Sequence, residues 1–255
     1  MDTICAVFVG SPPDVIQNLS ITILDRVMNK RVKLPDVVRL QQRDFDYLAV
    51  LHEYFSGSAA PKTLTALGNI DILQQRKLAL FCSAKCPGDL ILKTYDLVRA
   101  LRDARVTVIS GFHSPMEKEC LDLLLRGEQP VIVCPARSIE RMRTPSEWTA
   151  PLTEGRLLLL SPFAEKMRRA TVDLARKRNE IVAALADEVF VAHAAPGGKT
   201  EHFCHDVLSW SNPLLTLESD ENAGLIARGA RPVQPENVSR QWTTLTSEAP
   251  TKAQV

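Results

Sequence analysis

A chain of 255 residues, 45% hydrophobic and 24% charged, has the composition of a soluble globular protein and the length for one full-sized domain with a smaller appendage. Its formal net charge is only +1, so a phosphate-bearing ligand would have to be held by local groups: helix N-termini, glycine loops and a few arginines. No apolar run reaches the ~18 residues that span a bilayer, and the N-terminal MDTICAVFVGSPP has no basic stretch before its apolar run, so neither a membrane span nor a signal peptide is expected.

In chain order, Cys5–Val9 is a short apolar run ending in Gly-Ser-Pro-Pro, and 14–30 has helical spacing through Val15, Ile16, Leu19, Ile23, Leu24, Val27 and Met28. Residues 33–51 are read as a further helix beginning after Pro35. The stretch Ser56-Gly-Ser-Ala-Ala-Pro61 has linker chemistry, which divides a small N-terminal region (1–60) from a main domain (61–235). Six short, nearly continuous apolar runs follow: 78–82, 106–110, 131–134, 157–160, 188–192 and 214–217. Continuous runs of this length are expected of parallel strands covered on both faces. Helical patterns fall between most of them, at 90–104, 115–125 (with Pro115 at its start), 168–185 and 199–210. The alternation implies an α/β fold: a Rossmann-like, three-layer α/β/α domain on a mostly parallel sheet, plus the small N-terminal region. From 236 the chain is polar and aperiodic and reads as a flexible tail.

In an open parallel sheet, ligands bind beyond the carboxyl ends of the strands. The stretch His193-Ala-Ala-Pro-Gly-Gly-Lys-Thr200 carries the best local signal there. Gly197 and Gly198 allow close backbone approach, Lys199 adds a positive charge, and Thr200 opens the next helix, whose first N–H groups favour an anion. The competing reading is a tight turn into a capped helix. After the first strand, Ser83 and Gly88 lie in Ser83-Ala-Lys-Cys-Pro-Gly-Asp89; without GxGxxG no dinucleotide cofactor is expected, and no other cofactor is indicated. Arg178 and Asn179 either bind phosphate or anchor a loop, or else lie on a solvated face with Arg168, Arg169, Arg176 and Lys177.

His202, Cys204 and His205 have helical spacing but lack an obvious fourth ligand, so no metal site is expected. Cys5, Cys82, Cys86, Cys120, Cys134 and Cys204 contain no CxxC pair and read as free thiols of a cytoplasmic protein. No nucleophile–base or paired-carboxylate spacing stands out, so no catalytic residue is assigned. Trp148, Trp210 and Trp242 are candidate base-stacking residues.

The order of several segments resembles the DNA-processing protein A family (DprA, also called Smf), within the wider group of Rossmann-like domains that includes the LOG phosphoribohydrolases. The matching segments are Phe45-Asp-Tyr-Leu48 with Leu67-Gly-Asn69, Val108-Ile-Ser-Gly111, Arg178-Asn-Glu-Ile-Val182 with Ala186-Asp187, Ala194–Thr200, and Asn222–Val233. The resemblance implies a non-catalytic binding protein for single-stranded DNA or a nucleotide-derived ligand, with a role in DNA processing, recombination and transformation. It further implies a RecA-type recombinase as partner, and a homodimer. It places Ser110, Gly111, Arg178, Asn179, Gly197, Gly198, Lys199 and Thr200 around the phosphate pocket. The sequence departs from the family where Pro115 replaces a glycine, Glu117 an aspartate and Leu121 a histidine, and where the loop after the first strand is CSAKCPGD. Two alternatives stand beside this reading. One is a LOG-type nucleoside monophosphate phosphoribohydrolase, although Glu201 directly follows Thr200 and is turned by ~200° from its place in that motif. The other is a nucleotide-sensing or scaffold paralogue.

Overall fold

The six apolar runs became parallel strands because each buries side chains on both faces. In the computed structural model, which describes residues 34–41, 51, 54–55 and 60–237, they are β3 (Lys77–Phe81), β4 (Thr107–Ser110), β5 (Val131–Val133), β6 (Leu157–Ser161), β7 (Glu188–Val191) and β8 (Leu214–Leu217). With β1 (Val38–Gln41), β2 (Thr63–Gly68) and β9 (Arg231–Val233) they form one sheet in the order β1-β2-β6-β5-β4-β3-β7-β8-β9. From β6 to β9 all neighbours run parallel; β2 joins β6 antiparallel and β1 joins β2 antiparallel.

Alternate strand residues feed two cores, as the period of two requires. Ala79, Phe81, Ile109, Leu158, Val189 and Val191 face one side, and Leu78, Leu80, Val108, Leu157, Leu159 and Phe190 face the other. The second side is covered by α1 (Gly88–Asp103) and α2 (Pro115–Leu125), through residues such as Leu97, Leu101 and Leu124. The first is covered by α4 (Val172–Leu185) and α5 (Lys199–Ser209), through Ile181, Val182 and Phe203, whose ring lies edge-on to Phe81 at 4.8 Å. Two short helices, α3 (Thr149–Thr153) and α6 (Ala223–Ala227), complete the connections. The result is the expected three-layer α/β/α arrangement. All described residues fall in one compact unit that begins at Leu34.

Several local expectations are corrected. Residues 38–41 form an edge strand rather than part of a helix: Val38 pairs with Ala66 and Gln41 with Thr63, so tertiary pairing overrides the apolar spacing that suggested a helix. Residues 63–68 form β2, which escaped notice because TLTALG is neither long nor strictly alternating. The helix expected from Arg168 begins at Val172, because Thr171 is its N-cap and its Oγ1 accepts the Leu174 N–H at 3.2 Å. Arg168 and Arg169 therefore lie in an exposed loop. Residues 235–237 form a short 3-10 turn. The readings of residues 5–30, of Phe45–Leu48, of Trp242 and of the tail beyond 237 lie outside the described residues.

Candidate functional site

The strand order reverses at β3. The chain leaves β3 through α1 toward β4, and returns from β6 through α4 to β7 on the opposite flank. Such a switch point opens a crevice at the carboxyl ends of the strands.

On the β7 flank the crevice is stitched by Ser83. Its N–H donates to the His193 carbonyl and its Oγ accepts the Ala195 N–H, both at 2.9 Å. This fixes the loop after β3 against the glycine loop after β7. Gly197 has φ +68°, the left-handed region that favours glycine, and open space beside it. Gly198 is the N-cap of α5; a Cβ there would lie 2.8 Å from the Ala195 carbonyl oxygen. Lys199 is exposed and Thr200 half-buried in the first turn, and Gly88 opens α1 with open space around it.

The four longest helices differ in how they begin. Ser114 caps α2 and Thr171 caps α4 through side-chain oxygens, whereas Pro87 of α1 and Gly198 of α5 offer no side-chain acceptor. The two helices that start at the switch point therefore present first-turn N–H groups to an external acceptor.

On the β4 flank the expected residues pack and bond within the fold. Ser110 is fully buried; its Oγ donates to the Leu80 carbonyl at 2.6 Å and accepts the Phe112 N–H at 3.2 Å, locking β3 to β4. Arg178 is 4% exposed, which rules out the solvated-face reading. Its Nη1 donates to the Cys134 carbonyl at 2.8 Å and its Nε to Asn179 Oδ1 at 2.7 Å. The guanidinium lies so close over Gly111 that a Cβ there would sit 1.3 Å from Nη1. Burial holds the Arg178 pKa below its ordinary value, with the Glu117 carboxylate acting in the opposite direction. Burial also pushes the Cys134 thiol up to about 12. Arg178 thus ties α4 to the exit of β5 and packs over the exit of β4, with Asn179 as the acceptor for its Nε.

Glu117 is the main residue that the sequence reading missed. It is 6% exposed and gathers three backbone donors: Cys82 N at 3.1 Å, His113 N at 2.7 Å and Ser114 N at 3.3 Å. One carboxylate thereby joins the exits of β3 and β4. Its signal was legible, because Ser114-Pro-Met-Glu117 has the S-x-x-E spacing of a capping box. Asn222 plays a similar part further along: its Nδ2 donates to Ala192 and Leu217 carbonyls, and its Oδ1 lies 3.2 Å from His193 Nδ1.

The same edge carries the loops after β5 and β6, which the Ser138 N–H to Met167 carbonyl bond joins at 2.8 Å. Residues 134–145 and 162–171 contain Arg137, Arg141, Arg143, Lys166, Arg168 and Arg169 against Glu140 and Glu165 alone. In a chain of net charge +1 this is a strong local excess. A cavity of about 400 Å³ adjoins these loops, lined by Arg39, Lys62, Thr65, Phe163 and the carboxylates Glu140 and Glu165.

The Glu201 carboxylate closes the glycine turn on itself. Oε2 accepts the Gly197 N–H at 2.7 Å, and Oε1 is paired with Arg228. Arg228, then the Gly197 amide, holds its pKa below the ordinary 4.5. A depressed carboxylate pKa contributes to the folded turn above the ordinary value and loses that contribution as pH falls through the lower one. Protection of the Gly197 amide, measured as its exchange rate relative to the intrinsic rate at each pH, should therefore stay constant from pH 7 to 5 and fall only below 4.5. A loss of protection beginning at or above that value would show the contact to be unimportant. A carboxylate engaged in this way is not free to activate water at a ribose, which removes support for the phosphoribohydrolase alternative. The described residues contain no group of three His, Cys, Asp or Glu positioned for a metal, and no helix long and apolar enough to cross a membrane.

A doubly wound sheet with a glycine turn, two open helix N-termini and cationic loops at its carboxyl edge defines a Rossmann-like α/β domain. The chain belongs to the DNA recombination-mediator protein A family, whose model matches residues 39–242. The structure is similar to that of DNA processing protein A from Streptococcus pneumoniae (TM-score 0.66, 18% identity, 90% of this chain and 82% of that one). It is equally similar to the Helicobacter pylori protein, described for its single-stranded DNA binding mode (TM-score 0.66, 18% identity, 82% of this chain and 97% of that one). At this identity the two likenesses establish the shared fold. No curated protein matches the chain.

Proposed function

We propose that the protein binds single-stranded DNA along the carboxyl edge of its sheet, without catalysis, as a DNA-processing member of its family. The observation that carries this reading is the cationic pair of loops after β5 and β6, on the same edge as the open N-termini of α1 and α5. N–H groups and flexible cations grip phosphates without reading bases, which suits a strand of arbitrary sequence. The H. pylori relative's described single-stranded DNA binding agrees with it. In this reading Gly88, Gly197, Gly198, Lys199 and Thr200 contact phosphate, while Ser83, Ser110, Gly111, Arg178 and Asn179 shape the crevice. A cytoplasmic location, a homodimer and delivery of the strand to a RecA-type recombinase belong to the same proposal. The free state of all described cysteines is in keeping with that location.

The test is fluorescence anisotropy with labelled oligo-dT across a salt series, comparing the intact protein with Lys166→Glu/Arg169→Glu. Neither side chain forms an ion pair among the described residues, so folding should be unaffected. If both contact phosphate, affinity falls at every salt concentration and the log–log salt slope becomes shallower by about 1–1.5. Absence of salt-sensitive binding by the intact protein at low salt would refute DNA binding. An unchanged slope in the variant would move the strand off these loops.

A further inference from the structure

His193 lies at the switch point, between the chain segments that lead to the two open helix N-termini. It is the second residue after β7 and is 4% exposed. Its carbonyl accepts the Ser83 N–H at 2.9 Å, at the head of the loop that leads to α1, and its own chain runs on through the glycine turn into α5.

Asn222 fixes the state of the imidazole. Its Nδ2 donates to two carbonyls, Ala192 at 3.0 Å and Leu217 at 3.1 Å, which leaves Oδ1 facing His193 Nδ1 at 3.2 Å. An amide oxygen only accepts, so the hydrogen of that contact sits on Nδ1. In the neutral ring this makes Nε2 a bare acceptor. Nε2, at the distal end of the ring, bonds no described residue, yet it is not sealed in the interior, so it reaches the surface through the small exposed part of His193. A ring pinned through one nitrogen presents the other in a fixed direction. A phosphate oxygen cannot satisfy a bare Nε2, because it is an acceptor too; a donor is required.

We propose that His193 is a specificity-determining binding residue of the crevice for a nucleoside phosphate with free sugar hydroxyls. The first-turn N–H groups of α1 and α5 take the phosphate, and a sugar hydroxyl donates to Nε2. The hydroxyl is attached to the same sugar as the phosphate, so this pairing of contacts is independent of the base. A deoxynucleotide inside a DNA strand has no sugar hydroxyl, so the site tells a free ribonucleotide from a strand passing the same amides. The proposal rests on the reading that α1 and α5 hold phosphate, but not on a strand lying along the loops after β5 and β6.

The test has two readouts on the intact protein. Long-range proton–nitrogen NMR of the histidine-labelled protein should show the neutral His193 ring with its hydrogen on Nδ1. Calorimetric titration with AMP, 2′-deoxy-AMP and 2′,3′-dideoxy-AMP then reads the hydroxyl: affinity should fall about ten-fold from AMP to the dideoxy form. His193→Asn keeps a side-chain amide that can donate to Asn222 but has nothing at the place of Nε2. It should bind AMP and the dideoxy form within about two-fold of each other. A hydrogen on Nε2, equal affinity of the intact protein for the three nucleotides, or no binding of AMP would each overturn the proposal, and these outcomes suffice if the variant does not fold. Salt-sensitive binding of oligo-dT without binding of AMP rejects this proposal and leaves the DNA reading standing; binding of AMP without binding of oligo-dT does the reverse.

Discussion

Placing one methyl group at Gly111 should destabilise the protein about as much as removing the whole Arg178 side chain. The three atoms nearest to an added Cβ all belong to the Arg178 guanidinium, the first at 1.3 Å. The guanidinium cannot swing aside cheaply, because it is buried and bonded to the Cys134 carbonyl and to Asn179. Expelling it breaks those bonds and leaves a buried carbonyl without its donor, a cost of about 3 kcal/mol. Arg178→Ala loses the same bonds and opens a cavity, at about 3–4 kcal/mol. In Gly111→Ala/Arg178→Ala the new methyl group enters vacated space, so the double variant should be scarcely less stable than Arg178→Ala alone. Urea titrations of the four proteins would measure this as a coupling of about 2–3 kcal/mol. Additive costs would mean that the guanidinium is not held over Gly111. The same cycle assigns Arg178 its part: loss of ligand affinity in Arg178→Ala that tracks loss of stability marks a residue that positions the crevice, whereas lost affinity in a fully folded variant marks a direct phosphate contact.

Glu117→Ala is the second large effect. It leaves three backbone donors at the exits of β3 and β4 without their acceptor and removes the carboxylate whose field offsets the burial of Arg178. Each orphaned buried donor costs on the order of 1 kcal/mol, giving about 3 kcal/mol in all. Glu117→Gln preserves volume but replaces one acceptor oxygen by an amide that faces N–H donors. It should cost about 2 kcal/mol, unusually much for so conservative a change. Amide exchange should rise at Cys82 and His113 before it rises in the strand interiors. A neutral Glu117→Gln would show that the loops hold together without this clamp.

The layered fold was legible because it depends on composition at the scale of whole strands. Leu157–Leu160 and Glu188–Val191 are continuously buried, and no other environment suits such runs. The additions at the sheet's outer edges were not. β1 becomes a strand only because β2 is beside it, and β2 because β6 offers an antiparallel edge; neither partner can be inferred from a four- or six-residue window. Of the candidate site, the glycine turn and Arg178 could be singled out by residue type. Their roles could not be separated, since Arg178 is distinguished from its exposed neighbours Arg168, Arg169 and Arg176 by burial alone. The cationic loops were missed because the net charge of +1 averages them away, and because Arg168 and Arg169 were read as the start of a helix. Glu117 was missed because a capping box explains its first two contacts locally, while the third, to Cys82, spans 35 residues.

The position of β3 at the middle of the sheet also sets the timetable of folding. β3 pairs with β4 soon after both are made, but its other edge pairs with β7, and Lys77 meets Asp187 across 110 residues. At 5–20 residues per second a ribosome needs about 5–20 s to supply that distance. For that interval the growing chain holds a half-sheet whose central strand has one bare edge, lined by Ala79 and Phe81 with the α4 side still uncovered. Such a surface is what chaperones retain and what neighbouring nascent chains adhere to. Synthesis paused shortly before residue 188 should therefore yield an aggregation-prone chain, and completion of α4 and β7 should release it.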